Sequence, residues 1–193
     1  MSTDQTVNDL AKLEHTLRTT KETLFDGYRS SDHEVIEDYT LLQSNGKEIR
    51  LSELFGTRDD LIIVHNMGKS CGYCTMWADG FNGLYDYLNS RAAFVVCSPD
   101  SPDVQREFAD ERDWTFPMVS ADGSSFIEDL GFKEDDRYRP GVSTFYREDD
   151  GTIKRVASRR FGPFDDYNPV WNLFGILRDG VDDWQPGSTT GGD

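Results

Sequence analysis

The chain is poor in lysine, in cysteine and in long apolar runs, and each shortage removes a class of protein. Lys supplies only 6 of the 20 basic residues, against 36 acids of which 25 are Asp, giving a formal net charge of −16. With that balance, nucleic-acid phosphates and anionic membranes are poor partners. No stretch approaches the roughly 18 consecutive apolar residues that a membrane-spanning helix needs. The start, Met1-Ser2-Thr3-Asp4-Gln5, has neither a basic n-region nor an apolar h-region, so the expected location is cytoplasmic. Three cysteines in 193 residues are too few for a disulfide scaffold and fit a cycling dithiol in a reducing compartment. A Gly-rich phosphate loop is missing, as are internal repeats.

What is abundant is carboxylate, spread along the chain as Asp59-Asp60, Asp135-Asp136, Asp149-Asp150, Asp165-Asp166 and Asp182-Asp183. An acidic, Lys-poor surface is similar to those of proteins from salt-loving archaea. Concentrated salt screens the self-repulsion, because the Debye length is only about 3 Å at 1 M. A merely acidic protein from an ordinary cytoplasm is the alternative.

Hydrophobic spacing divides the chain into an arm (1–30), a main domain (36–184) and a polar tail (185–193) expected to be flexible. In the arm, Val7, Leu10, Leu13, Leu17 and Leu24 recur at three- and four-residue steps or their multiples, which predicts an amphipathic helix over 5–25. Its stripe packs on its own domain or joins a homodimer; Arg29 to Asp32 reads as a connector. Residues 39–42 and 49–51, separated by Asn45-Gly46, predict a hairpin with a type I′ turn, and 51–56 a short helical turn. Strands are then expected at 61–66, 92–97 and 116–120, alternating with helices after residue 71, from Ser101-Pro102 to about Trp114, and at 124–130. A loop at 133–139, a second hairpin (142–147 and 152–157) and a closing helix after Asn168-Pro169, with Val170, Leu173, Phe174 and Leu177 as its face, complete the order. The class is α/β, a central mixed sheet flanked by helices, with an N-terminal helix and β-hairpin extension.

The most informative residues are Cys71-Gly72-Tyr73-Cys74, which follow the apolar run Leu61-Ile62-Ile63-Val64 and open a helical segment. There the first thiol meets the positive end of the helix dipole, which favours thiolate and lowers its pKa from about 8.5 toward 3.5–7.5. Two intervening residues let the second thiol reach back and close a disulfide. Half of a zinc site has the same spacing.

In this order of elements the chain resembles the thioredoxin superfamily. More closely it resembles the domain of unknown function 899 family, related to the alkyl hydroperoxide reductase and thiol-specific antioxidant group. The closer likeness rests on Val64-His65-Asn66-Met67, on the dithiol with Trp77-Ala78-Asp79, on Trp114 to Ser120, and on Gly141-Val142-Ser143-Thr144-Phe145. It spans roughly residues 39–184. The resemblance implies a thioredoxin-like fold and a thiol–disulfide oxidoreductase with Cys71 attacking and Cys74 resolving. It implies a redox-active Cys71–Cys74 disulfide, a protein or small-molecule disulfide as substrate, a separate electron donor, and no cofactor or metal. Thioredoxins carry a buried acid six residues before the first cysteine; that position here is His65, which would assist deprotonation of Cys74. Their substrate-docking cis-proline aligns with Ser143, so that peptide is expected to be trans.

Two alternatives remain. One is a non-catalytic binding domain, or a metal-binding one in which Cys71, Cys74 and Cys97 with His65 make a Cys₃His set. The other is peroxide reduction, against which Met67-Gly68-Lys69-Ser70 lacks the Pro-x-x-x-Thr lead-in of peroxiredoxins. Cys97 is otherwise expected as inert packing. Arg159-Arg160 with Phe161, Phe164, Tyr167 and Trp171 form either an anion or partner surface near the dithiol or the packing of the last helix.

Overall fold

The structure is a computed structural model describing residues 3–187, and it divides into two units, Met1–Glu34 and Val35–Asp193. The first is one helix, α1 (Thr3–Ser30). It outruns the expected 5–25 at both ends, so Arg29 and Ser30 belong to its last turn rather than to a connector. Four hydroxyls bond back to carbonyls one turn earlier, from Thr16 to Lys12, Thr19 to His15, Thr23 to Thr19 and Ser30 to Asp26. These bonds satisfy the hydroxyls within the helix, although such back-bonding slightly weakens it. The apolar stripe is solvent-exposed at Val7, Leu10, Leu13, Leu17 and Leu24.

The second unit is built on an eight-stranded sheet with strands β1 (Glu34–Ile36), β2 (Thr40–Gln43), β3 (Glu48–Arg50), β4 (Asp60–His65), β5 (Ala93–Ser98), β6 (Met118–Ser120), β9 (Gly141–Arg147) and β10 (Ile153–Arg160). Their spatial order is β1-β10-β9-β4-β5-β6-β2-β3. The pairs β4–β5 and β5–β6 are parallel, whereas β9 joins β4 antiparallel, so the sheet is mixed. The helices are α2 (Gly72–Arg91), α3 (Pro102–Glu111), α4 (Phe126–Asp129) and α5 (Pro169–Gly175).

Central strands buried on two faces call for near-continuous apolar runs, and β4 and β5 supply them over residues 61–64 and 93–97. Ile63, Val95 and Cys97 face a layer containing Phe126, Ile127 and Phe132. Val64, Phe94 and Val96 face Trp77, Ala78 and Phe81 of α2, with Trp114, Phe116 and Phe161 around them. Trp77 and Phe81 anchor α2, and truncating such a side chain to Ala costs about 3–5 kcal/mol. The dithiol helix is therefore fixed to the sheet within its first three turns.

Several expectations are corrected. The first hairpin has a three-residue loop: Gln43 N–H donates to the Lys47 carbonyl at 2.8 Å, and only Gly46 takes positive φ, 76°. That is a turn closed by a left-handed glycine rather than type I′. The expected loop 133–139 contains a small ribbon, β7 (Lys133–Glu134) paired with β8 (Arg137–Tyr138). Helix α3 stops at Glu111, and Asp113 turns the chain with φ 53°. In α5 the buried anchor is Trp171, while Leu173 is exposed, as is Leu177 beyond the helix end. The tail expectation for 188–193 lies outside the described residues. Among the described residues no helix is long and apolar enough to cross a membrane.

Candidate active site

The loop between β4 and α2 is braced before the cysteines begin. Asn66 N–H donates to the Cys97 carbonyl at 2.8 Å, and its own side-chain oxygen accepts from Gly68 N–H at 2.8 Å. Gly68 has φ +106°, and a Cβ there would lie 2.8 Å from an Asp100 carboxylate oxygen. That carboxylate accepts Lys69 N–H at 2.8 Å, so a side chain at Gly68 would displace the brace. The Lys69 side chain is exposed.

Cys71 is the N-cap of α2, in extended conformation (φ −96°, ψ 101°). Its sulfur accepts Cys74 N–H at 3.1 Å, and its carbonyl accepts the Thr75 hydroxyl at 3.1 Å. No acid occupies the first turn, so nothing cancels the positive end of the dipole. The Cys74 thiol donates to the Cys71 sulfur, and with the Cys74 and Tyr73 amides it brings Cys71 from 9.0 down to about 7, against partial burial. The same hydrogen bond, together with burial, pushes the Cys74 thiol well up. Cys74 is buried, and its sulfur accepts Met67 N–H at 3.4 Å. The two thiols are thus unequal: one half-exposed and acidic, one covered and holding its proton.

His65 and Ser143 do meet, but not at the dithiol. His65 Nε2 lies 2.9 Å from Ser143 Oγ, and its ring stacks on Phe132 at 3.7 Å between centroids and 14° between planes. It shares the sheet face of Phe126 and Phe132, whereas α2 covers the other face; it hydrogen-bonds to neither cysteine of the dithiol. Burial, with Arg155 and Arg160 adding positive potential, pushes it down to about 3. The imidazole is therefore neutral, and its Nδ1 has no partner among the described residues. Ser143 does not form a docking loop: it is fully buried within β9, opposite Ile63 and Ser158, where no substrate chain reaches it. No cis peptide occurs among the described residues.

Cys97 pairs with His65 in register across β4–β5, is fully buried, and is pushed up to about 12 by that burial. It is packing. The four-residue Cys₃His set does not assemble, since no three His, Cys, Asp or Glu side chains converge on a metal position among the described residues.

The aromatic cluster, by contrast, reaches the dithiol. Tyr73 stacks on Trp171 with centroids 6.0 Å apart and planes at 21°, and Phe164 and Trp184 flank Trp171, each at 5.9 Å. Arg160 lies elsewhere, on the Gly131 carbonyl and Glu134. Two features were not anticipated. Asp165 ties the loop together, accepting from Gly162 N–H, Tyr167 N–H and the Trp77 indole. The chain past Trp184 also crosses the start of α2, so that a Cβ on Gly72 would lie 3.0 Å from the Pro186 carbonyl. Trp184, at the boundary of the main domain and the polar tail, was the available sequence signal.

A mixed sheet with a cysteine pair at the head of a helix defines a thioredoxin-fold protein. Solved structures share that fold. Peroxidoxin BcpB from Mycobacterium tuberculosis matches with a TM-score of 0.51 and 24% identity, over 63% of this chain and 80% of that one. An uncharacterized conserved protein from Geobacillus kaustophilus gives 0.53 and 18%, over 71% of each. A peroxiredoxin-like protein from Aquifex aeolicus gives 0.50 and 13%, over 68% and 78%. No curated protein matches the sequence. The family model described as "Bacterial protein of unknown function (DUF899)" matches residues 9–187, and the chain belongs to that family.

Proposed function

We propose that the protein is a thiol–disulfide oxidoreductase working through Cys71 and Cys74. The observation that carries this reading is the asymmetry of the pair: a half-exposed Cys71 sulfur at the N-cap of α2, accepting the Cys74 amide at 3.1 Å, beside a buried Cys74. The arrangement lowers the Cys71 thiol to about 7 and raises Cys74. At pH 7 about half of Cys71 is thiolate, against roughly 1% for a thiol at 9.0. The lower basicity costs some nucleophilicity, about eightfold for a Brønsted slope near 0.45, which leaves a net gain of about sixfold.

The Cys71 thiolate attacks one sulfur of a substrate disulfide. A mixed disulfide forms, and the departing thiolate takes a proton from water. Loss of the Cys71 negative charge removes the repulsion that opposed ionisation of Cys74. Cys74 then gives up its proton and attacks the Cys71 sulfur, closing the Cys71–Cys74 disulfide and releasing the second substrate thiol. The substrate gains two electrons and the protein loses two, so a thiol or dithiol donor must regenerate it. His65 takes no part in this scheme. The setting we propose is a reducing, salt-rich cytoplasm.

A Cys74→Ser variant incubated with a disulfide tests the scheme. Accumulation of a Cys71-linked mixed disulfide by mass spectrometry is expected; unimpeded turnover in that variant, or in Cys71→Ser, would refute it.

A second reading, peroxide reduction, is favoured by the same thiolate in a fold that solved peroxiredoxin structures share. There Cys71 would attack the O–O bond to give a sulfenic acid, which Cys74 condenses to the disulfide with loss of water. Cys71 sulfenic acid in Cys74→Ser after equimolar peroxide, formed faster than disulfide exchange, would favour it.

A further inference from the structure

We infer that the thiol site carries its own specificity slot, and that the slot takes the arginine or lysine side chain next to a half-cystine in a disulfide-bonded peptide. The inference rests on the thiol–disulfide reading for the reaction and on separate observations for the ligand.

The slot is an open cavity of about 450 Å³. Tyr73, Phe164, Trp171 and Trp184 wall it, and Asp182 and Asp183 supply its charge; no basic residue lines it. Tyr73 lies inside the Cys-x-x-Cys sequence, so the slot begins two residues from the nucleophile. Gln185, at its edge, leads into the Pro186 carbonyl that lies over Gly72.

Two features select the occupant, and a third is an unmet hydrogen bond beside it. Aromatic faces attract cations, guanidinium most often because it also stacks flat. Two carboxylates on the wall complement one positive charge and repel an acidic side chain. The third feature is an unmet demand: Trp171 is 3% exposed, and its indole N–H has no acceptor among the described residues. Buried indole N–H groups normally find a partner; this one is shielded from solvent in the free protein, and a small movement of the walls on binding would let a peptide carbonyl reach it. A neutral apolar occupant would cover both carboxylates with no charge to meet them.

The walls are held ready. Phe164 is 70% exposed at φ 69°, in a loop that Asp165 fixes through the Gly162 and Tyr167 amides at 3.0 and 2.8 Å. Trp184 seats edge-on against Phe174 at 4.9 Å. A cationic side chain placed here sets the neighbouring half-cystine beside Cys71, which turns binding into orientation for attack.

The test uses three end-capped peptide disulfides that differ only in having Arg, Gln or Glu beside the half-cystine, at one salt concentration. The readouts are the second-order rate of Cys71–Cys74 disulfide formation and, with Cys71→Ser protein, the affinity of the matching Cys-free peptides from Trp fluorescence. Expected are an Arg rate at least tenfold above the Glu rate, the same order in affinity, and collapse of both preferences in Phe164→Ala and Asp182→Asn. Asn tolerates the left-handed backbone at 182, where φ is 48°. Equal rates and affinities for the three peptides overturn the slot while exchange itself stands. Preferred binding of the Arg peptide without exchange by any disulfide keeps the slot and refutes the thiol–disulfide reading. Neither binding nor exchange refutes both.

Discussion

Removing the Cys74 thiol tests how Cys71 is made acidic. The largest influence lowering Cys71 is the hydrogen bond from that thiol, ahead of the Cys74 and Tyr73 amides. A hydrogen bond to a charged group contributes about 1.5–3 kcal/mol, and the low end applies because Cys71 is half-exposed. In Cys74→Ala that loss cuts the thiolate fraction at pH 7 from about one half to roughly one tenth. The more basic sulfur is also more nucleophilic, by about threefold at a Brønsted slope near 0.45. Alkylation by iodoacetamide at pH 7 therefore slows only about twofold, while the plateau at high pH rises about threefold. Cys74→Ser keeps an O–H donor, so its profile stays close to that of the native protein. Rates across pH 5–10, with mass spectrometry locating the label on Cys71, give the three curves. An unchanged midpoint in Cys74→Ala would show that the helix terminus and amides suffice, and would refute the role given to Cys74.

Three further outcomes follow from the fold. His65 stays neutral in the native state with a value near 3 against 6.5 when free, so the unfolded chain binds the extra proton. Its contribution to stability is complete above 6.5 and is lost as pH falls toward 3, at up to about 1.4 kcal/mol per pH unit. Urea midpoints at pH 7, 5.5 and 4.5 should fall less steeply in His65→Gln; parallel curves would contradict this. Gly141 sits where a Cβ would overlap the Arg159 carbonyl and the Phe132 ring that stacks on His65, so Gly141→Ala should cost about 1–3 kcal/mol or more in urea unfolding. A loss below about 0.5 kcal/mol would mean the strands part without cost. Finally, the net charge of −16 predicts a melting temperature that climbs as salt rises from 0.1 M to above about 2 M, and a flat response would count against a salt-rich home.

How much of this was legible in the sequence depended on whether the signal was local. The β4 run, Cys-x-x-Cys and the Trp77–Phe81 spacing are local patterns, and they placed the dithiol at the head of a buried helix. The first hairpin was legible in existence but not in type, because Asn45-Gly46 suits a three-residue loop as well as a two-residue one. His65 lies away from the dithiol for a geometric reason. Alternation along β4 puts it with Ile63 on the Phe132 face, while α2 covers Val64, and an ungapped count of six residues carries no information about faces. Ser143 could not be read as buried from its motif alone, since burial there comes from β4 and β10 on either side. The slot was legible only in part: Phe164 and Trp171 belong to the aromatic cluster placed near the dithiol, but Tyr73 and Trp184 join them only through tertiary packing.

The most direct test of the central claim is a redox titration of the metal-stripped protein in high salt. Thiol–disulfide buffers would set the poise, and trapped thiols would be mapped by mass spectrometry. The account predicts a reversible Cys71–Cys74 disulfide, with Cys97 unmodified, at a potential within the range of about −270 to −120 mV spanned by dithiol proteins. A pair that stays reduced across that range, or that oxidises through Cys97 instead, would contradict it.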